Sequence, residues 1–226
     1  ILQSSELFTL DITTLYELMG KYENALQEYF NLIDQNIQEL FTVQNRLQTL
    51  LLKDEDGKIY EIIRTSTLKQ TQKYPDKLAY SLLIMWLSIQ NFDFETALSQ
   101  AKAIDKRFKE NGDRVFDIAK ICTENKRWDE AINAYQYVLS KGTNNNLYVL
   151  AQVEILKVKF LKTIETYPIN INEVRLIDKE YSKTISDIGF NPGISDLIRN
   201  QAYINAFYLN QDKIAIKLLD SLIAYP

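Results

Sequence analysis

Histidine is missing from all 226 residues, and cysteine occurs once, at Cys122. Without an imidazole the chain can build neither a Ser-His-Asp nor a Cys-His nucleophilic centre, nor an HExxH zinc site. A single thiol cannot close an internal disulfide, so cysteine usage does not distinguish one redox compartment from another. Lying with Ile118 on the apolar side of "DIAKICTENK", Cys122 is expected to pack as a small hydrophobe. Glycine, with 6 residues, and proline, with 4, are scarce too. Long intervals of Leu, Ile, Lys, Glu, Gln and Ala remain between them, which suits helices joined by short turns rather than a sheet with tight hairpins. The longest apolar run, "LLIMWL" at 82–87, is far short of the roughly 20 residues that span a bilayer. A formal charge of −4 and a pI near 5.1 leave no bulk basic surface for phosphates, which argues against a dedicated nucleic-acid binder.

With 46% hydrophobic residues the chain can bury a large apolar surface. Four segments, "GKYENALQEYFNLI", "NFDFETALSQAKAI", "NKRWDEAINAYQYV" and "NQDKIAIKLLDSLI", align on Ala25, Ala97, Ala131 and Ala215. One residue after the alanine stand Leu26, Leu98, Ile132 and Ile216; four after, Tyr29, Ala101, Tyr135 and Leu219; seven after, Leu32, Ile104, Val138 and Leu222. These offsets trace one helical face, with the small residue where a neighbouring helix crosses closely. Three residues before the alanine are Tyr22, Phe94 and Trp128, and Asp212 breaks the rule. Ala97 and Ala131 are 34 residues apart, and Ile63 stands the same distance before Ala97. The spacing predicts an all-α chain of helical hairpins, with Trp128, Ala131, Ile132, Tyr135 and Val138 on the stacking face.

A repeat of 34 residues with a small residue early in its second helix and a proline between units resembles the tetratricopeptide repeat (TPR) family. Ala25, Ala97 and Ala131 match it, as do Pro75 between units and Ala119 in a first helix. Ile63 in place of the alanine, Thr13 and Met85 in place of the small first-helix residue, and "KGTNNN" at 141–146 in place of a proline depart from it. The resemblance implies a right-handed α-α superhelix, a TPR-like solenoid of about five helical hairpins in a single domain. The approximate units are 1–36, 37–76, 77–142, 143–190 and 191–226, with the two best-matching second helices both inside 77–142. The opening "ILQSSELFTLDITTLYELMG", helical in period through Phe8, Ile12, Leu15 and Met19, has neither initiator Met nor signal peptide, and "LLDSLIAYP" closes without a polar capping helix. A fragment of a longer chain is expected. The pattern is also similar to long multi-repeat TPR proteins of bacterial cell envelopes, which implies an envelope location.

In such a family the first helices line a concave groove that binds a partner polypeptide, which nominates Gln48, Trp86, Gln90, Phe116 and Lys120. Trp86, inside "SLLIMWLSI", has ordinary packing as its alternative role. The clamp for a terminal carboxylate used by some TPR domains needs Lys and Asn in successive first helices. Lys120 is its one match here, so that mode is not expected. Lys157, Lys159, Lys162, Lys179 and Lys183 suggest a basic cluster, with a solvated helix face as the alternative, and "KDEDGK" at 53–58 reads as a turn closing on Gly57. The expectation is a non-catalytic scaffold with a protein or peptide partner and no cofactor, metal or nucleic acid. An α/α-toroid glycan-acting enzyme and an RNA-binding helical repeat are the alternatives, disfavoured by the lack of a spaced carboxylate pair and by the acidic pI.

Overall fold

The structure, a computed structural model, describes residues 2–189 and 192–223. The closing residues 224–226, and Asn191 of the "NPG" punctuation, lie outside the described residues. Twelve α-helices account for most of the described chain: α1 (Leu2–Leu18), α2 (Tyr22–Gln35), α3 (Leu40–Leu51), α4 (Lys58–Lys73), α5 (Leu78–Gln90), α6 (Phe94–Phe108), α7 (Asp113–Glu124), α8 (Trp128–Leu139), α9 (Tyr148–Glu165), α10 (Ile171–Ile188), α11 (Ser195–Phe207) and α12 (Asp212–Ile223). No strand occurs among the described residues, so the class is all-α.

Twelve helices make six consecutive pairs, not five. The segment 77–142, taken as one unit in the sequence reading, contains two complete pairs, α5–α6 and α7–α8. No proline marks the break between them. It is made instead by Gly112, held at φ +91°, and by the buried carboxylate of Asp105, which accepts the Gly112 N–H at 2.7 Å. A Cβ at Gly112 would meet Val138 Cγ2 at 3.4 Å in a backbone conformation that side chains rarely adopt.

The packing divides the chain into two compact units, the first ending at Gln100 and the second beginning at Ala101, within α6. In the first, α1 packs on α2, α2 on α4, and α4 on α5, with α3 meeting α2, α4 and α5. Their core gathers Leu26, Tyr29, Val43, Leu47, Ile63 and Leu83. In the second unit each helix from α7 to α12 packs on the next, so α9 is apolar on two sides because α8 and α10 both cover it.

The aligned position is buried in all five second helices that carry it: Ala25, Ile63, Ala97, Ala131 and Ala215 are each 8% exposed or less. The backbone repeats as well. Five residues before the alanine, Gly20, Phe92, Lys126 and Asn210 all take a left-handed conformation, with φ between 54° and 67°. The next residue then reaches back across the turn, Lys21 to the Tyr16 carbonyl, Asp93 to Ser88 and Arg127 to Cys122, at 2.8–2.9 Å. In each case the alanine N–H closes the first hydrogen bond of its helix, onto Lys21, Asp93, Arg127 or Gln211. Only one of the four left-handed residues is a glycine, which is why the sequence does not announce the turn.

Other expectations differ in detail. Ala131, Tyr135 and Val138 are buried, whereas Trp128 and Ile132 are half-buried. In α12 the stacking stripe is open: Ile216 is 57% and Leu219 43% exposed. Such positions are covered by the pair that follows, and among the described residues no helix follows α12. Of the predicted stripe Phe8, Ile12, Leu15 and Met19, Ile12 is half-buried and the other three are exposed, because α1 turns Thr13 inward instead.

Candidate functional site

Asp105, Tyr137 and Lys141 fix the frame of the second unit. The Asp105 side chain is fully buried and accepts hydrogen bonds from the Gly112 N–H, the Tyr137 hydroxyl at 2.6 Å and the Lys141 ammonium. Burial alone would raise the pKa of this carboxyl; the hydrogen bonds from Lys141, Tyr137 and Gly112 outweigh it and hold the group below the usual carboxylate range. Because Asp105 lies in the last turn of α6, Gly112 precedes α7, Tyr137 is in the last turn of α8 and Lys141 stands just beyond it, one carboxylate ties three helices.

Above that frame, two first helices form a cleft. On α7, Phe116, Lys120, Thr123 and Glu124 stand at offsets of 0, 4, 7 and 8; on α9, Leu150, Glu154 and Lys157 stand at 0, 4 and 7. These two rows wall a cleft of about 350 Å³ floored by Tyr135 of α8. Phe116 meets Tyr135 edge-on with ring centres 5.4 Å apart, and the Lys120 ammonium lies 5.2 Å from the Phe116 ring. Lys120 also pairs with Asp117 at 2.8 Å, and Lys157 with Glu154 at 3.8 Å. Both walls therefore carry charge of either sign, while Leu150 stands about half exposed at the rim.

Tyr135 is fully buried, and its hydroxyl has no hydrogen-bond partner among the described residues. Thr123 is the polar side chain beside it but lies outside hydrogen-bond geometry, its own hydroxyl donating to the Ala119 carbonyl at 2.8 Å. Burial pushes the Tyr135 phenol up to about 12, so it stays a neutral donor near neutral pH. Cys122, also fully buried, is inert for the same reason, its thiol pushed up to about 12.

A cluster of aromatic rings joins α9 to α11 and the turn that follows it. Phe160, one turn beyond Lys157, has Tyr208 and Tyr203 at ring distances of 5.5 and 6.2 Å. Tyr203 and Phe207, four residues apart on α11, lie against each other at 4.7 Å with 45% and 71% of their surfaces exposed. The sequence reading passed over these rings. Their signal was the four-residue spacing of Tyr and Phe in "AYINAFY", which on a helix places both on one side.

The five nominated residues fall into two places. Phe116 and Lys120 belong to the cleft just described. In the first unit, Gln48 and Gln90 line a cleft of about 270 Å³ with Leu51, Leu52, Tyr60 and Asn91. Trp86 is outside it, half-buried against the core of that unit. At the edge of this cleft the "KDEDGK" turn uses its acids on its own backbone: Asp54 accepts from the Ile59 and Tyr60 N–H groups at 3.1 and 2.7 Å, and Asp56 from that of Lys58.

The lysines of α9 do not pool into one basic patch. Lys157 pairs with Glu154, Lys159 with Glu180 and Lys162 with Asp129, because nearby positions on a helix point to different neighbours. Among the described residues no group of His, Cys, Asp and Glu is arranged to hold a metal ion, and no helix is long and apolar enough to cross a membrane. Compared with known proteins, the chain matches no family model and no curated protein.

Proposed function

We propose that the chain is a non-catalytic interaction module, a TPR-like array of helical hairpins that holds a partner polypeptide against its first helices. The observation that carries this reading is the cleft between α7 and α9, with the buried, unpartnered Tyr135 hydroxyl at its floor. Two first helices side by side over a second helix are the arrangement a stacked hairpin repeat produces, and the buried alanine position and the recurring left-handed turn support the repeat. They also support a right-handed α-α superhelix as the arrangement of the pairs.

The chemistry suits a peptide. Phe116 and Leu150 offer apolar contact, Lys120, Glu124, Glu154 and Lys157 offer both signs of charge, and Tyr203 with Phe207 supplies exposed aromatic area on α11. A displayed random-peptide library selected on the immobilised chain tests the proposal. Peptides enriched on the wild type are expected to lose about tenfold or more in affinity on the Leu150→Asp, Lys120→Glu double variant. Both positions are exposed, so the fold should be retained. Equal binding to the double variant, or no enrichment at all, rejects the cleft as the binding site.

A further inference from the structure

A second cleft of the second unit, of about 660 Å³, is lined by Asp105, Lys106, Lys109, Glu110, Asn111, Lys141 and Asn144–Asn146. It sits between the turn that leads into α7 and the turn that leads from α8 to α9. The two turns are tied together where the Asn145 side-chain amide donates to the Asn111 carbonyl at 2.6 Å.

The acids of this cleft are already engaged. Asp105 is bound by Lys141, Tyr137 and the Gly112 N–H, and Glu110 takes both a 2.8 Å and a 3.2 Å hydrogen bond from Arg114. The bases at its mouth are not. Neither Lys106 nor Lys109 has a carboxylate within ion-pair distance among the described residues, and Lys102, one turn before Lys106, has its pKa lowered first by burial and then by the repulsion of Lys106. In a chain of net charge −4, this leaves a local excess of positive charge facing the side chains of Asn144 and Asn146, which have no hydrogen-bond partner among the described residues.

Ammonium groups and primary amides both supply hydrogen-bond donors, and Lys106, Lys109, Asn144 and Asn146 line a cleft whose two acids, Asp105 and Glu110, already hold donors of their own, which suits an oxyanion. We propose that the cleft of Lys106, Lys109, Asn144 and Asn146 binds a phosphate-type oxyanion, with Asp105 and Lys141 as its rigid back wall. The site is separate from the α7–α9 cleft and stands or falls independently of it. Free phosphate and a phosphorylated side chain present the same oxygens to these donors.

The test is a titration of the wild-type chain with inorganic phosphate, with chloride matched for ionic strength, followed by NMR on the side-chain amides of Asn144 and Asn146. Saturable shifts with phosphate, absent with chloride, are expected. The Lys106→Gln, Lys109→Gln double variant, altered only at exposed positions, is expected to weaken them about tenfold or more without changing the urea midpoint. Non-saturating shifts equal to those of chloride overturn the proposal, and so does equal affinity in the double variant. A phosphoserine peptide tested against its unmodified form then assigns the source. If only the phosphorylated form displaces phosphate, the ligand is a modified protein; if neither does, it is the free anion.

Discussion

A single carboxylate, Asp105, bears an unusual share of the second unit. It accepts from three donors that belong to the α7 turn and to α8, and each donor would lose a buried partner if it were removed. Replacing it with alanine is expected to cost about 3–5 kcal/mol, the range for breaking a buried charged pair from one side. The pH dependence follows from the lowered pKa. A carboxyl depressed in the folded state contributes stability that is complete above its unfolded value, near 3.9, and is lost as the pH falls through the folded value. The gap in urea midpoint between wild type and Asp105→Ala should therefore be full at pH 7 and shrink once the pH drops below about 4. A gap independent of pH would show that the packing of residue 105, and not its charge, matters.

The helix pairs are joined by a turn whose chemistry is backbone, not side chain. Phe92, Lys126 and Asn210 accept a left-handed conformation that costs non-glycine residues about 1–2 kcal/mol, because the turn's reaching-back hydrogen bonds and the burial of the alanine five residues on offset it. Lys126 is exposed, and among the described residues its ammonium makes only an exposed pair with Glu165 at 3.0 Å. Lys126→Gly is therefore expected to raise stability by about 1 kcal/mol, read from the urea midpoint. A loss of stability would mean that the exposed ion pair outweighs the backbone strain.

At the scale of the chain, stability is expected to accumulate pair by pair. In the second unit α8 packs mainly on α7 and α9, and α12 on α11, so the buried alanines of α8 and α12 have no main neighbour in common. Ala131→Leu should overpack its helix crossing and cost about 1–3 kcal/mol, with a smaller loss for Ala215→Leu, whose surroundings are more open. The double variant should lose the sum of the two within about 0.5 kcal/mol, as nearest-neighbour stacking requires. A neutral Ala131→Leu would contradict the close crossing, and a strongly non-additive pair would contradict nearest-neighbour behaviour.

The amino-acid sequence by itself determined that the chain is helical and which position is buried in five of the six second helices, since both depend on a period of 3.6 and on residue size within one segment. It led from Phe116 and Lys120 to one wall of the α7–α9 cleft, because offsets along a helix are local. It nominated Trp86 for a groove with ordinary packing as the alternative, and the structure packs it half-buried against a core; it read two pairs as one between 77 and 142, where the break rests on a buried aspartate and a glycine instead of a proline. The tertiary structure alone decided the rest. Whether Ile216 and Leu219 are covered depends on what packs beside α12, and the second wall of the cleft, from Leu150 to Lys157, comes from a helix some 30 residues further along the chain. Only the folded chain showed that Asp105 and Glu110 are engaged while Lys106 and Lys109 are not, because a charge is left unpaired by geometry and not by composition.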